Sequence, residues 1–270
     1  MRAVAKPLSR ALGREVVIRP TPGGGGWTAL EKILDADSES TVLATASLSL
    51  ATKEFYGNRD FSLDLLNPIA QFGNGFSVAL IARRGADYAD WSALSRAATQ
   101  RVFTVATTGP DDAFGVAEKM LQKVLKADFI PDRRHGPREI YDAVVSGNAE
   151  LGVITDPLIT SFNDATDTDG AVAIVNFGAD RSETHPDVPT LAEVSGDATL
   201  YFSIALGLYG NQGMTDTTAA TIYHALVAAA AEPEYVATGY PTTIKSGTEV
   251  RKAYQRELNM LSLLDAKGNN

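Results

Sequence analysis

The sequence predicts an α/β protein in which parallel-rich sheets are flanked by helices. Short β-rich runs alternate with amphipathic helical patterns for most of the length, and that alternation is the signature of strand–helix–strand units. Hydrophobic residues make up 44% of 270 residues, enough for two ordinary lobes or one large unit. Glycines, prolines and hydroxyls cluster where strands run into helices, the junctions at which such sheets hold ligands.

The elements follow in order. Val4, Leu8 and Leu12 stand at helical spacing in MRAVAKPLSRAL, so the chain opens inside a helix. EVVIR at 15 to 19 reads as a strand, and RPTPGGGGWTALEK then sets four glycines before a helix faced by Trp27, Leu30, Ile33 and Leu34. Glycine lets backbone approach a ligand and a helix start offers unpaired N–H groups, which makes Gly24 and Gly25 candidates for an anion site. No Lys-Ser/Thr pair follows, so this is no P-loop, and a plain strand-to-helix turn is the alternative. Further strands are TVLATA at 41 to 46, SVALIA at 77 to 82, VFTVAT at 102 to 107, LGVIT at 151 to 155 and AVAIVNF at 171 to 177. Between them, Val116, Met120, Leu121, Val124 and Leu125 line one helix; Ile140, Tyr141, Val144 and Val145 line another, stopped by Gly147. NDATDTDG, 163 to 170, reads as an exposed acidic loop without the glutamate that a calcium loop needs at its twelfth position. Two long helices, Thr217 to Ala231 and Thr248 to Leu264, close the chain; Val250, Tyr254, Leu258, Leu261 and Leu264 form the stripe of the second.

Composition narrows the function. With 24 basic and 33 acidic residues the formal charge is -9 and no Lys/Arg stripe can neutralise a run of phosphates, so nucleic acid is not an expected partner. There is no cysteine, hence no disulfide, thiolate or cysteine–zinc chemistry. No apolar run is long enough to span a bilayer, and the opening lacks the apolar stretch of a signal peptide. Of three histidines, none lies in a nucleophile elbow or an HExxH helix: His224 belongs to an Ala-rich helix, His185 precedes Pro186 in a loop, and only His135, in PDRRHGPRE, stands among cations at a strand-to-helix junction. That cluster is either a solvated turn or a cationic wall for an anion. In VATTGPDDAFG, Thr107 and Thr108 end a strand, Gly109 and Pro110 turn, and Asp111 or Asp112 caps the next helix; Thr45 to Ser47 repeats the arrangement earlier. Hydroxyls, glycines and cations without a catalytic pair are the inventory of a binding site.

With these junctions the chain resembles the solute receptors of tripartite tricarboxylate transporters, the Bug-type periplasmic binding proteins. The resemblance runs through LSRALGREVVIRPTPGGGG, NPIAQFGNGFSVALIARRGADYADWSAL and, most specifically, RSETHPDVPTLAEV at 181 to 194, and continues into the Ala-rich helix, AAAEPEYV and the closing helix. It implies a two-lobed periplasmic-binding-protein-like fold (type II) with a ligand cleft between lobes, lobe one being 1–83 and 204–270 and lobe two 84–203. It further implies that Thr107, Thr108 and Gly109 form the ligand loop, that Ser47 lies in the loop after the third family strand, and that Asp156 lies near a family acidic residue. Arg134, His135 and Gly136 stand where the family has Tyr, Lys and Gly, a departure that leaves the pocket basic but changes the expected ligand.

The function implied is an extracytoplasmic receptor, periplasmic or at the cell surface, that binds a small organic carboxylate and delivers it to membrane transporter subunits, as a monomer and without cofactor, metal or catalysis. A ligand-sensing protein for signalling and a small-molecule enzyme using the Gly-rich loop are the alternatives. The family reaches the helix matched by MRAVAKPLSRAL after an export signal, a first strand and a glycine-rich loop, so Met1 reads as an internal methionine, the alternative being a family branch that dispenses with that segment. The expectation is then a gap in lobe one, direct pairing of EVVIR with TVLATA, or another segment in the vacant lane.

Overall fold

The computed structural model describes residues 2–21, 27–36, 41–47, 50–57, 61–110, 112–166, 169–237 and 241–265. The chain divides into two compact units, one comprising 1–75 and 205–258, the other 76–204 and 259–270. The strand expected at 77–82 therefore belongs to the second unit, not to the first as the boundary at 83 required. The reason lies in its pairing, since both of its edges are taken by strands of that unit.

The first unit holds α1 (Arg2–Leu12), α2 (Trp27–Leu34), β1 (Leu43–Ser47), the single turn α3 (Leu50–Thr52) and β2 (Leu66–Phe76) from its first segment. Its sheet has the order β1-β8-β2-β9, with β8 (Ile204–Asn211) antiparallel to β1 and β9 (Ile244–Ser246) antiparallel to β2. On one face, Val4 and Leu8 of α1 and Ile222 and Leu226 of α9 (Asp216–Ala230) close a core over Ile69, Phe72 and Leu208, with Tyr235 of α10 (Pro233–Val236) beside them. Thr215 caps α9 by accepting from the Thr218 N–H, which starts the helix one residue before the sequence reading placed it. The closing α11 (Gly247–Asp265) buries Val250, Tyr254 and Leu261 of the expected stripe, whereas Leu258 and Leu264 remain partly exposed.

EVVIR does not form a strand. Val17 is exposed, and the segment is tied back to α1 by the Val16 N–H donating to Ser9 Oγ at 2.9 Å. Among the described residues β1 is an edge strand that pairs with β8 alone, so direct pairing of EVVIR with TVLATA is not the outcome. A lone extended segment without a ladder partner gains too little to order as sheet.

The second unit is a five-stranded sheet of order β5-β4-β6-β3-β7, comprising β3 (Val78–Arg83), β4 (Phe103–Thr107), β5 (Phe129–Arg133), β6 (Leu151–Thr155) and β7 (Ala171–Asn176). β4 runs parallel to β5 and β6, while β3 is antiparallel to both β6 and β7, so the sheet is mixed. β5 is an edge strand carrying Pro131 and an exposed Ile130. The helices α4 (Trp91–Ala98), α5 (Ala113–Leu125), α6 (Pro137–Ser146), α7 (Pro157–Asp164) and α8 (Leu191–Ser195) connect and cover these strands. Each boundary has a local cause: Asp90 and Asp112 cap α4 and α5, Pro137 opens α6, and Gly147 closes it in the left-handed region at φ 79°. Asn163, expected in an acidic loop, lies in α7, where its amide accepts from the Tyr141 hydroxyl at 2.7 Å and pairs with the backbone of Ala171; residues 167 and 168 of that stretch lie outside the described residues.

Candidate functional site

Strand directions in the second unit bring the carboxyl ends of β4, β5, β6 and β7 and the start of β3 to one edge of the sheet. On that edge stand Thr107, Thr108, Gly109, Arg134, His135, Gly136 and Asp156, seven of the residues picked out from the sequence. Ser47 ends β1 in the other unit, opposite Leu206, and Gly24 and Gly25 lie outside the described residues.

The hydroxyls of the expected ligand loop are directed into the protein. Thr107 is fully buried; its Oγ1 donates to Glu118 Oε2 at 3.1 Å and accepts from Arg133 Nη1, and Arg133 donates to the same Glu118 oxygen at 2.7 Å. This triad fastens α5 to the ends of β4 and β5, and its carboxylate is buried. A buried charge is tolerated only when paired in this way. Thr108 donates to Asp112 Oδ2, while Asp112 Oδ1 accepts the N–H groups of Phe114 and Gly115 at 3.0 and 3.1 Å. Gly109 is shaped from below, because a Cβ on Gly115 would lie 2.0 Å from the Gly109 carbonyl oxygen. Only glycine at 115 lets the Gly109–Pro110 turn settle on the helix start.

The β5–α6 junction presents a different surface. Arg134 donates from Nε and Nη2 to Asp132 at 3.0 and 2.6 Å, and the His135 N–H donates to Glu139 Oε2 at 3.2 Å. The His135 side chain is exposed, and no hydrogen bond to its imidazole occurs among the described residues. Gly136 caps α6 without a side-chain bond, and a Cβ built there would meet nothing within 4 Å. Pro137 has no N–H, so the unpaired donors of α6 begin one residue later, beside the open space at Gly136 and near Arg134, with Glu139 as the acidic residue of the first turn.

Asp156 is fully buried, and its carboxylate is the hub of a strap. Oδ1 accepts from His185 Nδ1 at 3.0 Å and Asn176 Nδ2 at 3.4 Å; Oδ2 accepts from Thr184 Oγ1 at 2.5 Å and from Ser182 Oγ. Asn176 also donates to Ser77 Oγ at 2.9 Å and accepts from the Gly178 N–H at 2.7 Å, joining the start of β3 to the end of β7. Downstream, Arg181 donates to both oxygens of Glu193 at 3.0 Å, and Glu193 completes a capping box with Thr190 at α8. The Thr190 N–H, and then the Arg181 guanidinium, hold the Glu193 carboxyl below its usual range.

Ser182, Thr184 and His185 of RSETHPDVPTLAEV thus form a strap drawn over the end of β6, with Arg181, Thr190 and Glu193 fixing it to α8. Sequence reasoning singled out that stretch yet treated His185 as an ordinary loop residue and passed over Ser77, Glu118, Arg133, Asn176, Ser182 and Thr184. The spacing of Ser182, Thr184 and His185 was the available signal, but it acquires meaning only once Asp156 is known to lie beneath them. Among the described residues no group of three or more His, Asp or Glu side chains could hold a metal ion.

Neither a family model nor a curated protein sequence matches the chain. Solved structures do. A TctC solute-binding protein from Polaromonas, without ligand, superposes with a TM-score of 0.79 at 16% identity, covering 97% of this chain and 92% of its own. The chain has the TctC solute-binding fold. MatC from Rhodopseudomonas palustris, with bound malate, shares the TctC fold with it at a TM-score of 0.72 and 18% identity, over 96% and 92% of the two chains. The periplasmic binding protein BugD aligns equally well, with a TM-score of 0.72 and 18% identity over 98% and 91%. The chain returns to its first unit through β8 after the long segment 76–204 that builds most of the second.

Proposed function

We propose that this chain is a solute receptor of the TctC/Bug type, binding a small organic carboxylate at the strand-end edge of its second unit and delivering it to the membrane subunits of a tripartite tricarboxylate transporter. One observation supports the reading: a chain with the TctC fold carries an α6 start without a side-chain cap, open space at Gly136, and Arg134 and His135 where the strands of its second sheet end. The carboxylate would be held by N–H groups of the first turn of α6 beyond Pro137 and by the Gly109 turn, while Thr107, Thr108 and Asp156 keep those loops in place. Binding needs no covalent step, and on this reading the chain is not an enzyme and acts as a monomer outside the cytoplasm. No described helix is long and apolar enough to cross a membrane.

Titration calorimetry against a panel of mono-, di- and tricarboxylates, with product analysis of each mixture, tests the proposal. Saturable one-to-one binding with the acid recovered unchanged is the expected result. Consumption of an acid, or heat from none of them, would overturn it.

A further inference from the structure

We propose that His185 Nε2 and Thr160 Oγ1 form a subsite for a ligand hydroxyl, which narrows the ligand to a hydroxylated carboxylate; the inference rests on the carboxylate-receptor reading above. A carboxylate only accepts hydrogen bonds, so the 3.0 Å contact between His185 Nδ1 and Asp156 Oδ1 requires the imidazole hydrogen on Nδ1. In the neutral ring that leaves Nε2 with its lone pair outward, in the manner of histidines oriented by a buried acid. The ring cannot turn to satisfy itself, because Asp156 is fully buried and is held in turn by Asn176, Ser182 and Thr184.

The partner that Nε2 has is a poor one. Thr160 Oγ1 lies 3.5 Å away, well beyond the roughly 2.7–2.8 Å of a well-formed hydroxyl bond. Thr160 is exposed and the His185 side chain keeps 20% of its surface accessible, so a ligand group can reach both atoms. An alcohol can donate to Nε2 and accept from the threonine hydroxyl at once. A carboxylate has no hydrogen to offer Nε2, and an ammonium has no lone pair to accept from Thr160. His185 is anchored on Asp156, just past the end of β6, and β6 pairs with β4, which leads into the Gly109 turn.

The test compares acids that differ by one hydroxyl: malate with succinate, 2-hydroxyadipate with adipate, and mandelate with phenylacetate, each titrated into the full chain. At least one hydroxylated member should bind about five- to tenfold more tightly than its partner, the effect of one added hydrogen bond to a fixed acceptor. His185→Phe and Thr160→Val should each bring that ratio towards one. Thr160 is exposed, so if His185→Phe fails to fold, Thr160→Val decides. A wild-type chain that binds both members of each pair equally, or variants that retain the preference, would overturn the hydroxyl subsite and leave the carboxylate reading standing. Binding of none of the six acids would instead overturn that reading, and this inference with it.

Discussion

Glu257 should make the first unit less stable as pH rises, and its replacement by glutamine should remove the effect. Burial in α11 pushes its carboxyl up to about 8 from 4.5, with Arg256 opposing the shift. On the neighbouring β8, Tyr209 is fully buried, its hydroxyl has no hydrogen-bond partner among the described residues, and burial followed by the Glu257 charge raises its phenol as well. The folded state therefore holds a proton that the unfolded state has released. Stability is intact below about pH 4.5 and is lost progressively as pH rises towards 8, the opposite of a salt-bridged carboxylate. At about 1.4 kcal/mol per pH unit the loss is at most about 5 kcal/mol. The side chain keeps some exposure, so solvent screening reduces it to roughly 2 kcal/mol. Urea unfolding read by Trp27 fluorescence, in a Trp91→Phe background at pH 5, 6, 7 and 8, measures it. The difference between Glu257→Gln and its parent should grow with pH in favour of glutamine. Parallel profiles would refute the reasoning.

Three further outcomes follow from the second unit. Gly115→Ala puts a methyl against the Gly109 oxygen, 2.0 Å away, so it should cost about 1–3 kcal/mol by overpacking and weaken carboxylate binding; a variant with unchanged melting and affinity would show that the turn has room. Thr107→Val should destabilise by about 1–3 kcal/mol in urea, because Glu118 and Arg133 lose a partner in a buried site; a fully intact fold with reduced affinity would instead return the hydroxyl to the ligand. Thr190→Ala removes the capping box of α8 and should cost about 1 kcal/mol, seen as faster amide exchange in α8 and the strap than in β4.

Strand and helix identity was legible wherever one periodicity ran uninterrupted. LGVIT is β6 residue for residue, and Val116, Met120 and Leu121 are buried as their spacing required. EVVIR misled because its valines carry strand propensity while sheet membership depends on a neighbour that no local pattern reports. β5 was hidden for the opposite reason: FIPDR contains a proline and two charges, and only its pairing with β4 makes it a strand. The candidate site divides the same way. A glycine-rich turn and a run of cations can be read along the chain, which is how Gly109, Arg134, His135 and Gly136 were found. Whether a polar side chain faces a ligand or the interior depends on residues outside its own turn, and Glu118 and His185 decide that for Thr107 and Asp156.

Pro131 on the outermost strand of the second unit has a consequence for the behaviour of the protein at high concentration. A sheet edge is a row of unused donors and acceptors on which another chain can zip, and an exposed Ile130 would reward such an encounter. Proline has no N–H to offer, so the row is interrupted at its middle residue, and Asp132 and Arg133 follow it with charge. This rim thus carries its own terminator against fibril-like stacking, and replacing Pro131 by valine should increase aggregation on concentration, as read by light scattering.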